Sequence, residues 1–361
     1  MAQSRARQYD ERDVRVRPGR GSRPRTKQRP EHADAEVALV TAVDRGRYSI
    51  LVDPDGPDER VAIAMKAREL GRDRVVPGDR VDIVGDTSGV EGSLSRIVRI
   101  GERRTVLRRT ADDTDPVERI IVANADQLVI VTALADPEPR TRMIDRCVAA
   151  AYDARMDALL ALTKADLADP TELVGMYAPI GVQVVVTSAE KSEGGRIIHG
   201  LEDVRAALEG KTSVLVGHSG VGKSTLVNAL VPGTYRAVGV VNDVTGRGRH
   251  TSSSAVALRV PGTSSPTWVI DTPGVRSFGL AHVDPQHLLG AFADLAEVAE
   301  DCPRGCTHAD DAPDCALDEW VADAPDEPTR AARSARIESF RRLLASRLGT
   351  GEPDNREPVR P

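Results

Sequence analysis

Aromatic residues make up only 3% of this 361-residue chain, and it has four cysteines, six lysines and no long apolar run. Each shortage excludes something. A bilayer span needs roughly 20 consecutive apolar residues, and the N-terminus MAQSRARQYDERD lacks the apolar centre of a signal peptide, so no membrane partner and a cytoplasmic address are expected. Two Trp, five Tyr and three Phe are too few for a protein that works mainly by stacking unpaired bases. If nucleic acid is a partner, the scarcity favours recognition of RNA shape and backbone. The cysteines do not suggest a disulfide framework, because Cys302, Cys306 and Cys315 fall within fourteen residues around His308, while Cys147 stands alone in a helix-like stretch. In a cytosolic chain such clustering favours a metal site.

What is present points to several domains. A hydrophobic content of 40% over this length supports two or three cores. The formal net charge of −6 is an average of unlike parts: residues 1 to 30 hold ten Arg or Lys against three Asp or Glu, a net of +7, which leaves −13 for the remainder. Residues 1–35 are rich in Arg, Pro, Gly and Gln and read as a disordered basic tail suited to salt-sensitive phosphate contacts. Over residues 36–110 the short alternating runs EVALVTAV, RYSILV, RVAIAM, DRVDIV and SLSRIVRI are separated by Gly, Pro and Asp turns. Five such strands predict a small all-β barrel of the oligonucleotide-binding (OB) type, an RNA-binding domain.

Residues 111–281 alternate strand and helix. DQLVIVTAL, ALLALT, VQVVVTSA, TSVLVG, SAVALRV and TWVIDT read as strands. RTRMIDRCVAAAYDARM, PTELVGMYAPI, LEDVRAALEG and the residues from Lys223 read as helices, which predicts an α/β domain with a parallel sheet. Residues 282–348 read as helical around the Cys/His knot, with a basic amphipathic helix near 329–348, and 349–361 as a disordered polar tail.

The strongest motif is GHSGVGKST at 217–225, which fits G-x-x-x-x-G-K-[ST] between a strand and a helix. Along Gly217, His218, Ser219, Gly220, Val221 and Gly222 the backbone can turn tightly and aim N–H groups at phosphate oxygens, aided by the helix N-terminus. Lys223 is expected to reach the β and γ phosphates, Ser224 to hold Mg2+ through its hydroxyl, and Thr225 to sit beside it. The base is addressed by TKAD, Thr163, Lys164, Ala165 and Asp166, which is similar to the NKxD guanine motif with Thr in place of Asn. A carboxylate at Asp166 can accept from guanine N1–H and its exocyclic amine, neither of which adenine offers, so GTP is the expected nucleotide. Ser188 and Ala189 resemble the SA[KL] loop that lies over the base. DTPG at 271–274 resembles the DxxG motif, with Asp271 expected on Mg2+ through water and the Gly274 N–H on the γ-phosphate. Between them lies GRGRHTSSS, where Thr251 is the candidate switch threonine that joins Mg2+.

The guanine motif precedes the phosphate loop, the reverse of the ordinary order, so the G domain is read as circularly permuted. A barrel, this permuted order, GRHT in the switch and the knot DCPRGCTHADDAPDC together resemble the RsgA (YjeQ) family of small-subunit ribosome-dependent GTPases, over about residues 36–348. Thr163, Ser252 and Ser253 depart from the family pattern. The resemblance implies hydrolysis of GTP to GDP and phosphate, stimulated by the small (30S) ribosomal subunit during its late maturation, with 16S-type rRNA contacted by a monomer. The alternative is a regulatory GTP-binding module that acts on a protein partner, with hydrolysis incidental.

Cys302, Cys306, His308 and Cys315 supply three thiolates and one imidazole, a complete tetrahedral set for structural Zn2+ with no position left for water. The resemblance implies zinc as well. Catalysis needs a group to position water, and Val275 after DTPG cannot do so. His250, beside Thr251, is the candidate by geometry and by resemblance, with Lys223 and Thr251 as its companions in catalysis.

Overall fold

The computed structural model describes residues 32–109, 119–192, 195–233, 255–272 and 285–348. The first strands are β1 (Glu36–Asp44), β2 (Arg47–Val52), β3 (Arg60–Lys66), β4 (Arg80–Gly85) and β5 (Ser95–Ile100). They pair in the order β1-β2-β3-β5-β4, and β4 returns to β1 to close a barrel. Alternate residues face inward, as a period of two requires, so Val40, Ile50, Val52, Val81, Ile83 and Ile97 make the core, with Ala38, Ala62 and Ala64 where the walls come close. Arg45 and Gly46, both at positive φ, make the two-residue turn that returns β1 into β2.

After the hairpin of β6 (Val106–Arg109) and β7 (Arg119–Ala123) comes the α/β part. Its strands are β8 (Gln127–Ala133), β9 (Asp157–Thr163), β10 (Gln183–Val186), β13 (Thr212–Val216), β14 (Val256–Arg259) and β15 (Trp268–Asp271), with the hairpin β11 (Ser188–Ser192) and β12 (Gly195–His199) between. The sheet runs β10-β9-β8-β13-β15-β14, parallel except for β14. All seven residues of β8 are buried, which fits a central parallel strand covered on both faces. Leu128 and Ile130 enter one core with helix α1 (Thr141–Asp153), whereas Val129 and Val131 enter another with α3 (Leu201–Leu208) and α4 (Lys223–Leu230). Helix α2 (Thr171–Tyr177) joins β9 to β10. Cys147 is 1% exposed on the inner face of α1, and burial pushes its thiol up to about 12, so it packs as an inert apolar group.

The C-terminal helices are α5 (Pro285–Gly290), α6 (Ala293–Val298), α7 (Ala316–Ala322) and α8 (Glu327–Leu348). Two of the chain's three Phe meet here: Phe292 packs edge-on against Phe340 and against Tyr152 of α1, with ring centroids 5.5 Å apart in each pair. The helix expected near 329–348 is present over Glu327–Leu348, and several of its arginines bind within the fold. Arg342 meets the buried Asp145 of α1, Arg336 meets Asp294 and the Pro179 carbonyl, and Arg341 meets Asp318 and the His308 carbonyl.

Three local features differ from the sequence expectation. Ser188 and Ala189, read as the end of the strand VQVVVTSA and as part of a loop over the base, instead begin a separate strand β11, because their backbone finds partners in β12. The β6–β7 ladder was not anticipated, its two short runs lying beside the barrel pattern. The barrel and the α/β sheet are continuous, since β14 pairs with β15 on one side and meets β1 at Ala42↔Val256 on the other. Arg259 at the end of β14 reinforces that seam through Glu59 at 2.8 Å and Asp55 at 2.9 Å, both between β2 and β3.

Candidate nucleotide site and metal centre

Strand β13 ends at Val216, and the backbone turns through 217–222 before α4 begins at Lys223. Two glycines are required by the space and by the turn. A Cβ on Gly217 would sit 2.6 Å from the Val131 carbonyl oxygen, and Gly222 has φ of +92°, a region that L side chains rarely adopt. Val221 is buried beneath the turn, His218 is half-buried, and Ser219, Gly220 and Ser224 are exposed at its outer edge with Thr225 half-buried behind. The free N–H groups at the start of α4 make this end of the sheet receptive to an anion.

The adjoining loops come from the carboxyl ends of the neighbouring parallel strands, the place where open α/β sheets bind ligands. Leu215 of β13 is in register with Asp271 at the end of β15, and Lys223 Nζ donates to Asp271 Oδ1. Thr272, 1% exposed, donates its hydroxyl to the Leu215 carbonyl at 2.7 Å and fixes the DTPG strand end against the phosphate-loop strand.

On the opposite side Thr163 ends β9, and its hydroxyl donates to the Val221 carbonyl at 2.5 Å. Lys164 Nζ donates to the Asp136 carbonyl in the loop after β8. The Ala165 N–H donates to the Thr187 carbonyl at 3.1 Å, and Thr187 N–H to the Leu162 carbonyl at 2.7 Å, so the TKAD turn and the residues leading into Ser188 are stitched together. Asp166 and Ala189 are exposed and Ser188 is half-buried. The four segments separated in sequence therefore share one end of one sheet. His250, Thr251 and Gly274 lie outside the described residues.

The metal-ligand candidates converge as well. Single ligand atoms of Cys302, Cys306, His308 and Cys315 all lie within 4.8 Å of one another. Cys302 Sγ is 4.0 Å from Cys315 Sγ and 3.6 Å from His308 Nδ1. Zinc–sulfur bonds of about 2.3 Å at tetrahedral angles put sulfurs roughly 3.8 Å apart, so donor set and spacing fit Zn2+. Local turns make the cluster: His308 has φ of +56°, its N–H donates to Cys306 Sγ at 3.4 Å, and the Ala316 N–H at the start of α7 donates to Cys302 Sγ at 3.3 Å. Burial lowers the His308 pKa, assisted by nearby Arg341, which favours the neutral ring a metal needs.

Sequence reasoning missed the groups that hold these residues. Thr272 and the carbonyls of Asp136 and Val221 belong to no ligand pattern, and backbone acceptors leave no signature in residue identity. Arg341 had a weak signal in the basic run of α8, but nothing showed that it would reach His308.

With this geometry in place, comparison with known proteins decides the family. The family model of the RsgA GTPase matches residues 100–281. The curated "Small ribosomal subunit biogenesis GTPase RsgA" of Pseudomonas aeruginosa is 36% identical over 279 residues, which cover 75% of this chain and 76% of the relative. The chain belongs to the RsgA GTPase family. It is a hydrolase acting on GTP. A second RsgA relative, of Chlorobaculum parvum, is 32% identical over 289 residues, 77% of this chain and 89% of that protein. In fold the RsgA-family chain matches the crystal structure of YjeQ from Thermotoga maritima with a TM-score of 0.58 at 24% identity, over 86% of this chain and 99% of that one. It matches YloQ, described as a circularly permuted GTPase, with a TM-score of 0.57 at 22% identity, over 87% of this chain and 96% of that one. Among the described residues no helix is long and apolar enough to cross a membrane.

Proposed function

We propose that this GTPase serves assembly of the small ribosomal subunit: it binds the subunit and its rRNA late in maturation, hydrolyses GTP when the subunit stimulates it, and then leaves. The observation that carries the reading is the match, over three quarters of the chain, to relatives named for small-subunit biogenesis. The barrel supports it by its outer face, where exposed Arg47 and Arg96 flank Met65 across adjoining strands and Val61 is 66% exposed. Cations beside a non-aromatic surface suit phosphate and sugar contacts more than base stacking.

In the nucleotide site, the N–H groups of 217–222 and Lys223 hold the phosphates, and Asp166 reads guanine with Lys164, Ala165, Ser188 and Ala189 around the base. Ser224, Thr251 and Asp271 offer the oxygen donors that suit Mg2+, which neutralises phosphate charge when bound. The facing of Lys223 and Asp271 supports this arrangement, because each then exchanges the other for its own ionic partner. The Gly274 N–H meets the γ-phosphate and His250 positions the attacking water. Cys302, Cys306, His308 and Cys315 hold a structural Zn2+. The protein acts as a monomer in the cytoplasm.

The deciding experiment measures GTP and ATP turnover with and without purified small subunits. Stimulation of GTP turnover by orders of magnitude, with no ATP turnover, is expected. Equal stimulation by an unrelated protein, or none by subunits, favours a regulatory module instead. Intact stimulation in His250→Ala would remove that residue from catalysis.

A further inference from the structure

Thr163 replaces the Asn of the NKxD pattern, and its surroundings assign it a different task from reading the base. The residue is 7% exposed at the end of β9. Its hydroxyl has a single proton, and that proton is directed to the Val221 carbonyl at 2.5 Å. A second carbonyl, that of Thr132, lies at 3.4 Å and competes for the same proton. A Cβ built on Gly222 would lie 3.5 Å from the Thr163 hydroxyl, so the side chain is seated directly against the phosphate-loop turn.

Guanine presents acceptors at O6 and N7 and donors at N1 and its exocyclic amine. To read O6 or N7, Thr163 would need a free proton. To read the donors, a carboxylate is the better complement, and Asp166 is exposed three residues on. We infer that Thr163 is a positioning residue that ties the guanine loop to the phosphate loop through the Val221 carbonyl and makes no contact with the base, which leaves Asp166 as the side chain that selects guanine. The inference rests on the reading of this site as the GTP site.

The tether couples two recognition tasks. Base-side and phosphate-side loops keep a fixed separation, so losing it weakens every guanine nucleotide by the same factor and leaves discrimination among bases intact. An Asn-like base contact would do the reverse.

The test is equilibrium binding of GTP, GDP, 7-deaza-GTP (N7 replaced by C–H) and ITP (no exocyclic amine) to the full chain with Mg2+. Thr163→Val keeps the shape and removes the hydroxyl; it is expected to weaken all four nucleotides alike, by about tenfold, because binding must then bring the two loops to a separation that the tether had held in advance. Thr163→Ser restores the proton donor and is expected to bind within about threefold of the wild type. The ratios GTP:7-deaza-GTP and GTP:ITP stay the same in all three proteins. A shift of either ratio in Thr163→Val overturns the inference, because Thr163 then touches the base. Unchanged affinities in Thr163→Val overturn it too, because the tether is then inert. Should Thr163→Val not fold, Thr163→Ala takes its place with the same criteria. Wild-type chain that binds ATP as tightly as GTP would defeat the GTP reading itself, a result separable from either ratio.

Discussion

The candidate metal cluster and the nucleotide site are built in opposite ways. Four metal-ligand candidates come from fourteen consecutive residues and are brought together by local turns. The nucleotide-site loops come from residues 163–166, 188–189, 217–225 and 271, and only the register of parallel strands makes them neighbours. The cluster borders one core, in which Cys315 and Leu317 are buried, but a metal held by its four candidate ligands would supply much of the order of its own turns. A distributed site inherits its order from the two cores that flank the sheet, and ligand contacts there can be spent on chemistry.

Cutting the metal cluster tests this contrast most severely. In Cys306→Ser, or after chelation, one equivalent of zinc is expected to be lost together with the structure of 302–315, seen as a lowered or split melting transition. GTP affinity should stay within about threefold, since the cluster joins only one of the two cores that hold the nucleotide site, the one on the α1 side. A large fall in GTP affinity would break the comparison and direct attention to α8, which links the cluster to α1. That link has its own test. Arg342→Ala leaves Asp145 as a buried carboxyl without its cation and is expected to cost about 3 kcal/mol in urea unfolding.

The complementary cut is Lys223→Ala, expected to reduce GTP turnover by roughly 100-fold or more while zinc content and melting temperature stay near wild type. A melting shift comparable to that of the zinc-site variant would mean that the Lys223–Asp271 pair stabilises the sheet end as well. The smallest effect is a pH slope at the helix that joins the regions. Hydrogen bonds from Arg336 hold the Asp294 carboxyl below its usual value despite opposing burial, so its stabilisation is present above the unfolded carboxylate range near 3.9 and is lost as pH falls through the lower folded value. Burial holds Asp145 above its usual value despite Arg342, so the protonated folded form is favoured and that contribution falls as pH rises through the interval above about 3.9. Unfolding curves between pH 2.5 and 6 should show a shallower acid limb in Asp294→Asn. An unchanged limb would show that the Arg336 pair contributes nothing measurable.

Legibility followed the same division. Glycines, a lysine and hydroxyls at fixed offsets announced the phosphate loop, and three cysteines with a histidine announced the candidate metal site, because each is a local geometric requirement. The barrel showed through its period-two strands and turn residues. The β6–β7 ladder and β11 were harder to see, since strands of four or five residues carry weak periodicity and gain their structure from a partner's backbone. Arginines of α8 gave the opposite difficulty: composition suggested a basic surface, but Arg336, Arg341 and Arg342 bind carboxylates and carbonyls inside the fold.

By itself the sequence determined the chemistry on offer: a nucleotide-binding motif set in permuted order, a Cys/His cluster with the donor set of a metal site and a barrel ahead of both. Tertiary structure decided which groups hold which. The hydroxyl of Thr163 looks like a weakened base contact in the tetrapeptide TKAD, yet in the fold its one proton reaches the carbonyl of Val221, 58 residues away. Residue identity specifies donors and acceptors, whereas the choice among partners depends on which backbone atoms the sheet brings within hydrogen-bonding distance.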